Sequence, residues 1–144
     1  MIILDTNVIS ELLRPSPQAK VVSWVAAQNS TEVYLTTISE AELRYGVAIL
    51  KKGKRRKVLE AAIESILQED FQGRILGFDS LAAKAYAVIA AERRAVGRTI
   101  STPDCQIAAI GRARKAAIAT RNVKDFAESG IFVINPWDDG SSPS

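Results

Sequence analysis

Ile2-Ile3-Leu4-Asp5-Thr6-Asn7 decides the fold: a short apolar run that stops abruptly at three polar residues. The run is too short for a helix and too apolar for a strand with one wet face. It reads as a central strand covered on both sides. Ala117 to Ala119 has the same character and runs straight into Thr120, Arg121 and Asn122. In parallel sheets, sites form beyond the carboxyl ends of strands, where the winding reverses. Asp5 and the Thr120–Asn122 segment therefore share a candidate site.

Around these two runs, strands alternate with longer helical stretches. Val33 to Leu35, Ile75-Leu76 with Phe78, and Ile131 to Ile134 read as three further strands. A short helix follows Asn7 and ends before Pro15 and Pro17. Helices are expected over Gln18 to Gln28, Ile38 to Leu50 and Val58 to Glu69. A long helix capped by Asp79 or Ser80 runs to Val96, with Gly97 just past its end. Another has Pro103 in its first turn and reaches Lys115. The alternation predicts an α/β fold with a mainly parallel sheet between helical layers. Residues 1–137 form one expected domain, and 138–144 an expected polar, disordered tail.

Composition narrows the chemistry. The 144 residues suffice for one hydrophobic core, and 47% apolar with 24% charged residues is a globular balance. There is no histidine, which excludes Ser-His-Asp and Cys-His catalysis and histidine zinc sites. The single cysteine, Cys105, excludes an intrachain disulfide and cysteine metal clusters. A formal charge of +3 permits a polyanionic partner without requiring one. No apolar run approaches the ~20 residues that span a bilayer, and no basic segment opens a signal peptide. A soluble, cytoplasmic protein without a membrane partner is expected.

Catalysis must then rest on oxygen ligands, amides or Lys/Arg. Asp5 ends the first strand, where it could also serve as a helix cap. Glu42 lies three residues after Ser39, a capping-box spacing, yet among apolar Ala41, Leu43 and Val47. Asp104 follows Thr102-Pro103, where a first-turn acid also suits the helix dipole. Asn122 and Asp125 lie in TRNVKDF (120–126), locally an ordinary turn. Together, however, three carboxylates fall at element boundaries that an α/β sheet can converge. Gathered, they repel unless a cation neutralises them. An oxygen-only set favours one or two Mg²⁺ or Mn²⁺ ions, which could bind a scissile phosphate and activate water. Thr6, Asn7 and Thr120 are candidate supporting groups.

ILDTNVIS (3–10), ISEAELRYGV (38–47), TPDCQIAAI (102–110) and AIATRNVKDF (117–126) resemble, in order, the four signature regions of PIN-domain proteins. LRP (13–15), VYLTTISEAELR (33–44), GRIL-FD (73–79) and NPW (135–137) are similar to the VapC/FitB toxins of type II toxin–antitoxin modules. The resemblance covers nearly the whole chain. It implies a three-layer α/β/α fold with strand order 3-2-1-4-5 and a Mg²⁺- or Mn²⁺-dependent ribonuclease acting on RNA. It also implies a homodimer and a cognate antitoxin that inserts a basic side chain among the acids and carries the pair to operator DNA. Asp5, Glu42 and Asp104 match the family's acidic core and metal ligands, and Thr6 its supporting hydroxyl. Asn122 stands where many members carry a fourth acid. The site loses one negative charge there, which puts a second ion in question unless Asp125 joins.

Lys51 to Lys57 could track a phosphate backbone, or could be the solvated end of a helix, where cations suit the C-terminal dipole. Arg112, Arg114 and Lys115 carry the same two readings. Arg44 and Tyr45 could contact substrate or antitoxin, or pack at the cleft edge. Trp24, Tyr34 and Trp137 read as packing. Two other functions compete. A phosphoryl-accepting aspartate domain is weakened because residue 7 is Asn, not the second acid of a D-x-D pattern. A catalytically silent docking module is motivated by Asn122.

Overall fold

The structure, a computed structural model, describes residues 1–138. The polar tail expected over 138–144 lies outside the described residues except for Asp138.

Strand β1 (Ile2–Leu4) pairs in parallel with both β2 (Val33–Thr36) and β4 (Ala117–Ala119). Strand β3 (Ile75–Leu76) lies outside β2, and β5 (Val133–Ile134) outside β4. All pairings are parallel and the order is β3-β2-β1-β4-β5, as expected. Successive side chains of a strand point to opposite faces. Ile3 and Ile118 accordingly pack on one face with Ile89 of α5 (Ser80–Ala95) and Ile107 and Ile110 of α6 (Thr102–Arg114). Leu4 and Ala119 pack on the other. Their partners there are Val8 and Ile9 of α1 (Thr6–Leu12), Val21 of α2 (Ala19–Ala27), Leu43 and Val47 of α3 (Thr37–Ala48), and Ile63 of α4 (Lys54–Ser65). Fully burying each such aliphatic side chain stabilises the fold by about 1.5–3 kcal/mol. Two cores, one per sheet face, make the α/β/α sandwich. Trp24, Tyr34 and Trp137 pack half-buried against these cores, as their sequence context indicated.

Gly111 brings α6 onto the sheet. A Cβ at this position would stand 3.1 Å from Ile118 Cδ1, closer than ordinary packing allows. That close approach fixes the helix whose first turn carries Asp104.

Local details differ from the sequence reading. The capping box of Ser39 and Glu42 does not form. The cap of α3 is Thr36, whose hydroxyl accepts the Ser39 amide at 3.1 Å, and Ser39 and Glu42 both lie within the helix. The helix expected from Val58 starts at Lys54, and its end over Ile66–Asp70 widens into a π turn. Strands three and five are shorter than expected. Phe78 lies outside β3 and makes an edge-to-face contact with Tyr86, ring centroids 5.9 Å apart. Among the described residues, no helix is long and apolar enough to cross a membrane.

Candidate active site

Strand order creates the site. The chain leaves β1 toward β2 on one side and returns to β4 on the other, so a crevice opens beyond the carboxyl ends of β1 and β4. Asp5 is the first residue past β1, and its amide continues the ladder to Ala119 O at 2.9 Å. It is also the N-cap of α1: Oδ1 accepts the Thr6 amide at 2.8 Å. Capping and site membership, posed as alternatives by the sequence, are thus one placement. Oδ2 accepts the Thr120 hydroxyl at 2.7 Å.

Thr120, directly after β4, is a hub. While donating to Asp5, its oxygen accepts from the Asn122 amide at 3.0 Å and from Asn7 Nδ2 at 3.3 Å. Asn7 Oδ1 in turn takes the Arg121 amide at 3.4 Å. Thr6 reaches across to α3. Its hydroxyl donates to Glu42 Oε1 at 2.5 Å and lies 2.9 Å from the fully buried Ser39 hydroxyl. Thr6 therefore aims Glu42 at the crevice. Asp104 sits in the first turn of α6, its amide on the capping Ser101 hydroxyl at 3.4 Å.

Electrostatics tie the acids together. Burial pushes the Asp5 carboxyl up to about 6. Its bonds from Thr120 and Thr6 oppose the rise, and the charges of Asp104 and Glu42 add to it. Asp104 is likewise raised, mainly by burial and further by Asp125 and Glu42, while the Ser101 bond and Arg93 act in the other direction. Asp5 thus feels the charges of Asp104 and Glu42, and Asp104 those of Asp125 and Glu42. In this arrangement no three acids among the described residues stand close enough to hold an ion. Their chemistry nevertheless fits one. The donors are hard carboxylate and hydroxyl oxygens, and their mutual repulsion is what a divalent cation would relieve. Asp5, Glu42 and Asp104 are the residues that could hold it. Asn122, exposed on the α7 turn (Val123–Phe126), makes no side-chain cap.

Arg93 escaped sequence reading. It is 6% exposed on α5 and has no carboxylate partner among the described residues. Nη1 donates to Asp125 O and Ala127 O, both at 2.9 Å, and Nε to Arg98 O at 2.6 Å. It clamps the turn that carries Asn122 and Asp125, and its charge reaches Asp104. The signal lay in its register: Arg93 falls four residues after Ile89, on the buried face of its helix. Arg44, by contrast, points at α4. It binds Glu40 Oε2 at 2.9 Å and both oxygens of Glu64 at 2.8 and 3.1 Å, while Tyr45 is exposed.

A groove of ≈ 960 Å³ reaches Glu42 and its partner Thr6. Thr6 and Ser10 of α1 with the following Leu13, Glu42, Leu43 and Val47 of α3, and Lys54, Arg55, Val58 and Leu59 of α4 contribute to its walls.

Acids thus gather at the reversal point of a five-stranded parallel sheet, in a chain that has no histidine. Residues 2–130 match the PIN domain, and the chain belongs to that family. It is 43% identical over 139 residues to toxin FitB of Neisseria gonorrhoeae, covering 96% of this chain and 100% of the relative. It is 40% identical to VapC ribonuclease Y4jK of Sinorhizobium fredii, covering 96% and 99%. The solved structure of FitAB bound to an IR36 DNA fragment superposes with a TM-score of 0.91 at 42% identity, covering 96% of each chain.

Proposed function

We propose that this chain is the toxin of a toxin–antitoxin module and acts as a metal-dependent ribonuclease. The observation that carries the reading is the placement of three acids from separate elements around the crevice: Asp5 on the Thr120 hydroxyl past β1, Glu42 on the Thr6 hydroxyl, and Asp104 in the first turn of α6, with the charges of Asp104 and Glu42 both acting on Asp5. The names of the similar proteins, a toxin and a VapC ribonuclease, support it.

Asp5, Glu42 and Asp104 would hold one Mg²⁺ or Mn²⁺ once drawn together, and Asp125 would supply further charge near Asp104 where Asn122 supplies none. Such an ion would supply positive charge to a scissile phosphate and acidify water. The chain's own residues do the rest. Thr120 fixes the buried Asp5 carboxylate, so little reorganisation remains there when substrate arrives, and Thr6 tethers the exposed Glu42 beside it. Helix α3 carries Glu42 on a side chain exposed enough to swing toward an ion. Arg93 holds the α7 turn against the cleft.

The antitoxin partner follows from the FitAB likeness. A basic side chain from it would be rewarded by charge-assisted bonds among the acids, and its DNA contacts would carry the pair to an operator. Leu81 and Val88, exposed and seven residues apart on α5, give the expected homodimer an apolar row.

The test is cleavage of RNA by the wild type and by Asp5→Asn with Mg²⁺ or Mn²⁺, with EDTA as control. Metal-dependent cleavage by the wild type alone is expected. Equal cleavage by both proteins refutes the role of Asp5, and no metal binding by the wild type near neutral pH favours a silent docking module.

A further inference from the structure

Lys51, Lys52, Lys54, Arg55 and Lys57 are exposed and have no carboxylate partner among the described residues. Within the same stretch only Arg56 is paired, to Glu60 Oε1 at 2.7 Å. In sequence these cations could be explained as the favourable C-terminal end of a helix. The structure keeps that explanation for Lys51 and Lys52, just past the C-cap Ile49 of α3, and removes it for the other four. Lys54, Arg55, Arg56 and Lys57 form the first turn of α4, the positive end of its dipole. Gly53 precedes them without a side-chain cap. Placed there, Lys54, Arg55 and Lys57 cost helix stability without an ion pair among the described residues in return, whereas Arg56 binds Glu60 and the Leu50 carbonyl. The segment from Leu50 to Arg56 also encloses a concavity of ≈ 280 Å³ lined by these cations. Lys54 and Arg55 face the larger groove as well, whose other end holds Thr6 and Glu42. Glu42 and Leu50 are eight residues apart on and just past α3, about 12 Å of helix rise.

We infer that the α3–α4 turn binds the phosphate backbone of single-stranded RNA and leads the strand along this groove to the acids. The inference rests on the ribonuclease reading above. Charge complementarity selects a polyanion. The wall between patch and acids is aliphatic, with Leu43, Val47, Leu50, Val58 and Leu59 lining it, so it offers splayed-out bases apolar contact but no stacking face. A duplex keeps its bases inside and gains nothing from such a wall. An acidic protein segment is the competing occupant.

The decisive variant replaces Lys51, Lys52, Lys54 and Arg55 with Gln. Anisotropy of a short fluorescein-labelled single-stranded RNA of mixed sequence is read in EDTA, so that binding is measured without cleavage. The variant is expected to bind ~10–100-fold more weakly at low salt, with the salt slope shallower by about 0.7 for each phosphate no longer neutralised. Its thermal stability should hold or rise, because the dipole conflict is relieved, whereas a structural role predicts a fall. A charge-keeping variant (Lys51→Arg, Lys52→Arg, Lys54→Arg, Arg55→Lys) should bind like wild type. RNA affinity unchanged in the Gln variant overturns the proposal, as does an equal drop in the charge-keeping one. RNA binding intact but co-purification with the antitoxin abolished also overturns it and assigns the patch to protein. A wild type that binds RNA through the patch yet never cleaves it leaves the patch standing and sinks the ribonuclease reading.

Discussion

Helix α1 has a covered carboxylate near each end, Asp5 before its first residue and Glu11 in its last turn, each 4% exposed. Their fates are opposite. Glu11 accepts the Gln18 amide at 2.9 Å and Arg14 Nη1 at 3.0 and 3.2 Å. Those bonds, the Gln18 amide foremost, hold its carboxyl below the usual range against the opposing effect of burial. It lies under a thin cover of surface side chains, close enough to the indole of Trp137 to gain from it, although Trp137 Nε1 makes no bond of normal geometry. Asp5 receives two hydrogen bonds but no cation, lies deeper, faces two further acids, and is raised to about 6. Burial is common to both; what separates them is compensation. Glu11 staples the loop that follows α1, whereas Asp5 is left with a charge for something else to neutralise.

The largest expected effect comes from removing that charge. Asp5→Asn should lower metal-dependent RNA cleavage on the order of a hundredfold or more, measured at saturating Mg²⁺. The same variant should be more stable than wild type at pH 8, by up to about 3 kcal/mol from the raised carboxyl, read by urea unfolding. A variant that is both inactive and less stable would break the contrast with Glu11. Arg93→Met comes next. Leaving three carbonyl oxygens without their donor should cost about 3 kcal/mol, and Arg93→Lys should recover part of it in the same unfolding assay. Glu11→Gln should lower Tm by about 5 °C by calorimetry while cleavage per folded molecule stays within error of wild type. A large drop in turnover would move Glu11 into the site.

The pH dependence sharpens the comparison further. The folded Asp5 binds its proton more tightly than the unfolded chain, whose ordinary value is 3.8. Its contribution to stability is full below 3.8 and is lost as pH rises through about 6. Glu11 has the opposite sign: its contribution is present above its ordinary value of 4.5 and is lost as pH falls through its lowered folded value. Unfolding curves of Asp5→Asn and Glu11→Gln across pH 3–8 should differ from wild type with opposite slopes. The smallest effect is Thr120→Val. Without its hydroxyl on Oδ2, the Asp5 carboxyl should rise by a further ~0.5–1 pH unit, seen as a shift in the acid limb of metal binding.

The elements that carried function were legible because their signals are local. An all-apolar triplet ending at Asp5, a second ending at Thr120, and Pro103 opening a helix needed no partner to be read. Local reasoning misjudged the cap of α3, because Thr36 outcompetes Ser39 only once β2 delivers the chain at that angle. The C-terminal reading of the basic stretch holds for Lys51 and Lys52 but not for Lys54 to Lys57, because Gly53 can end one helix or begin another. Arg93 was hidden because its acceptors, Asp125 O and Ala127 O, are backbone atoms more than thirty residues away. Hydrogen bonds to main-chain oxygen leave no mark in the identity of the residues that accept them.

The linear chain by itself determined which chemistry was open to this protein. Without histidine and with one thiol, only oxygen ligands remained, and side-chain alternation along each short strand dictated a sheet covered on both faces. Convergence belonged to the tertiary structure. Whether Asp5, Glu42 and Asp104 repel one another depends on strand order and on helices α3 and α6 descending on the same crevice. Coulomb interaction depends on distance through space and on the surrounding dielectric, and neither quantity is written in sequence separation.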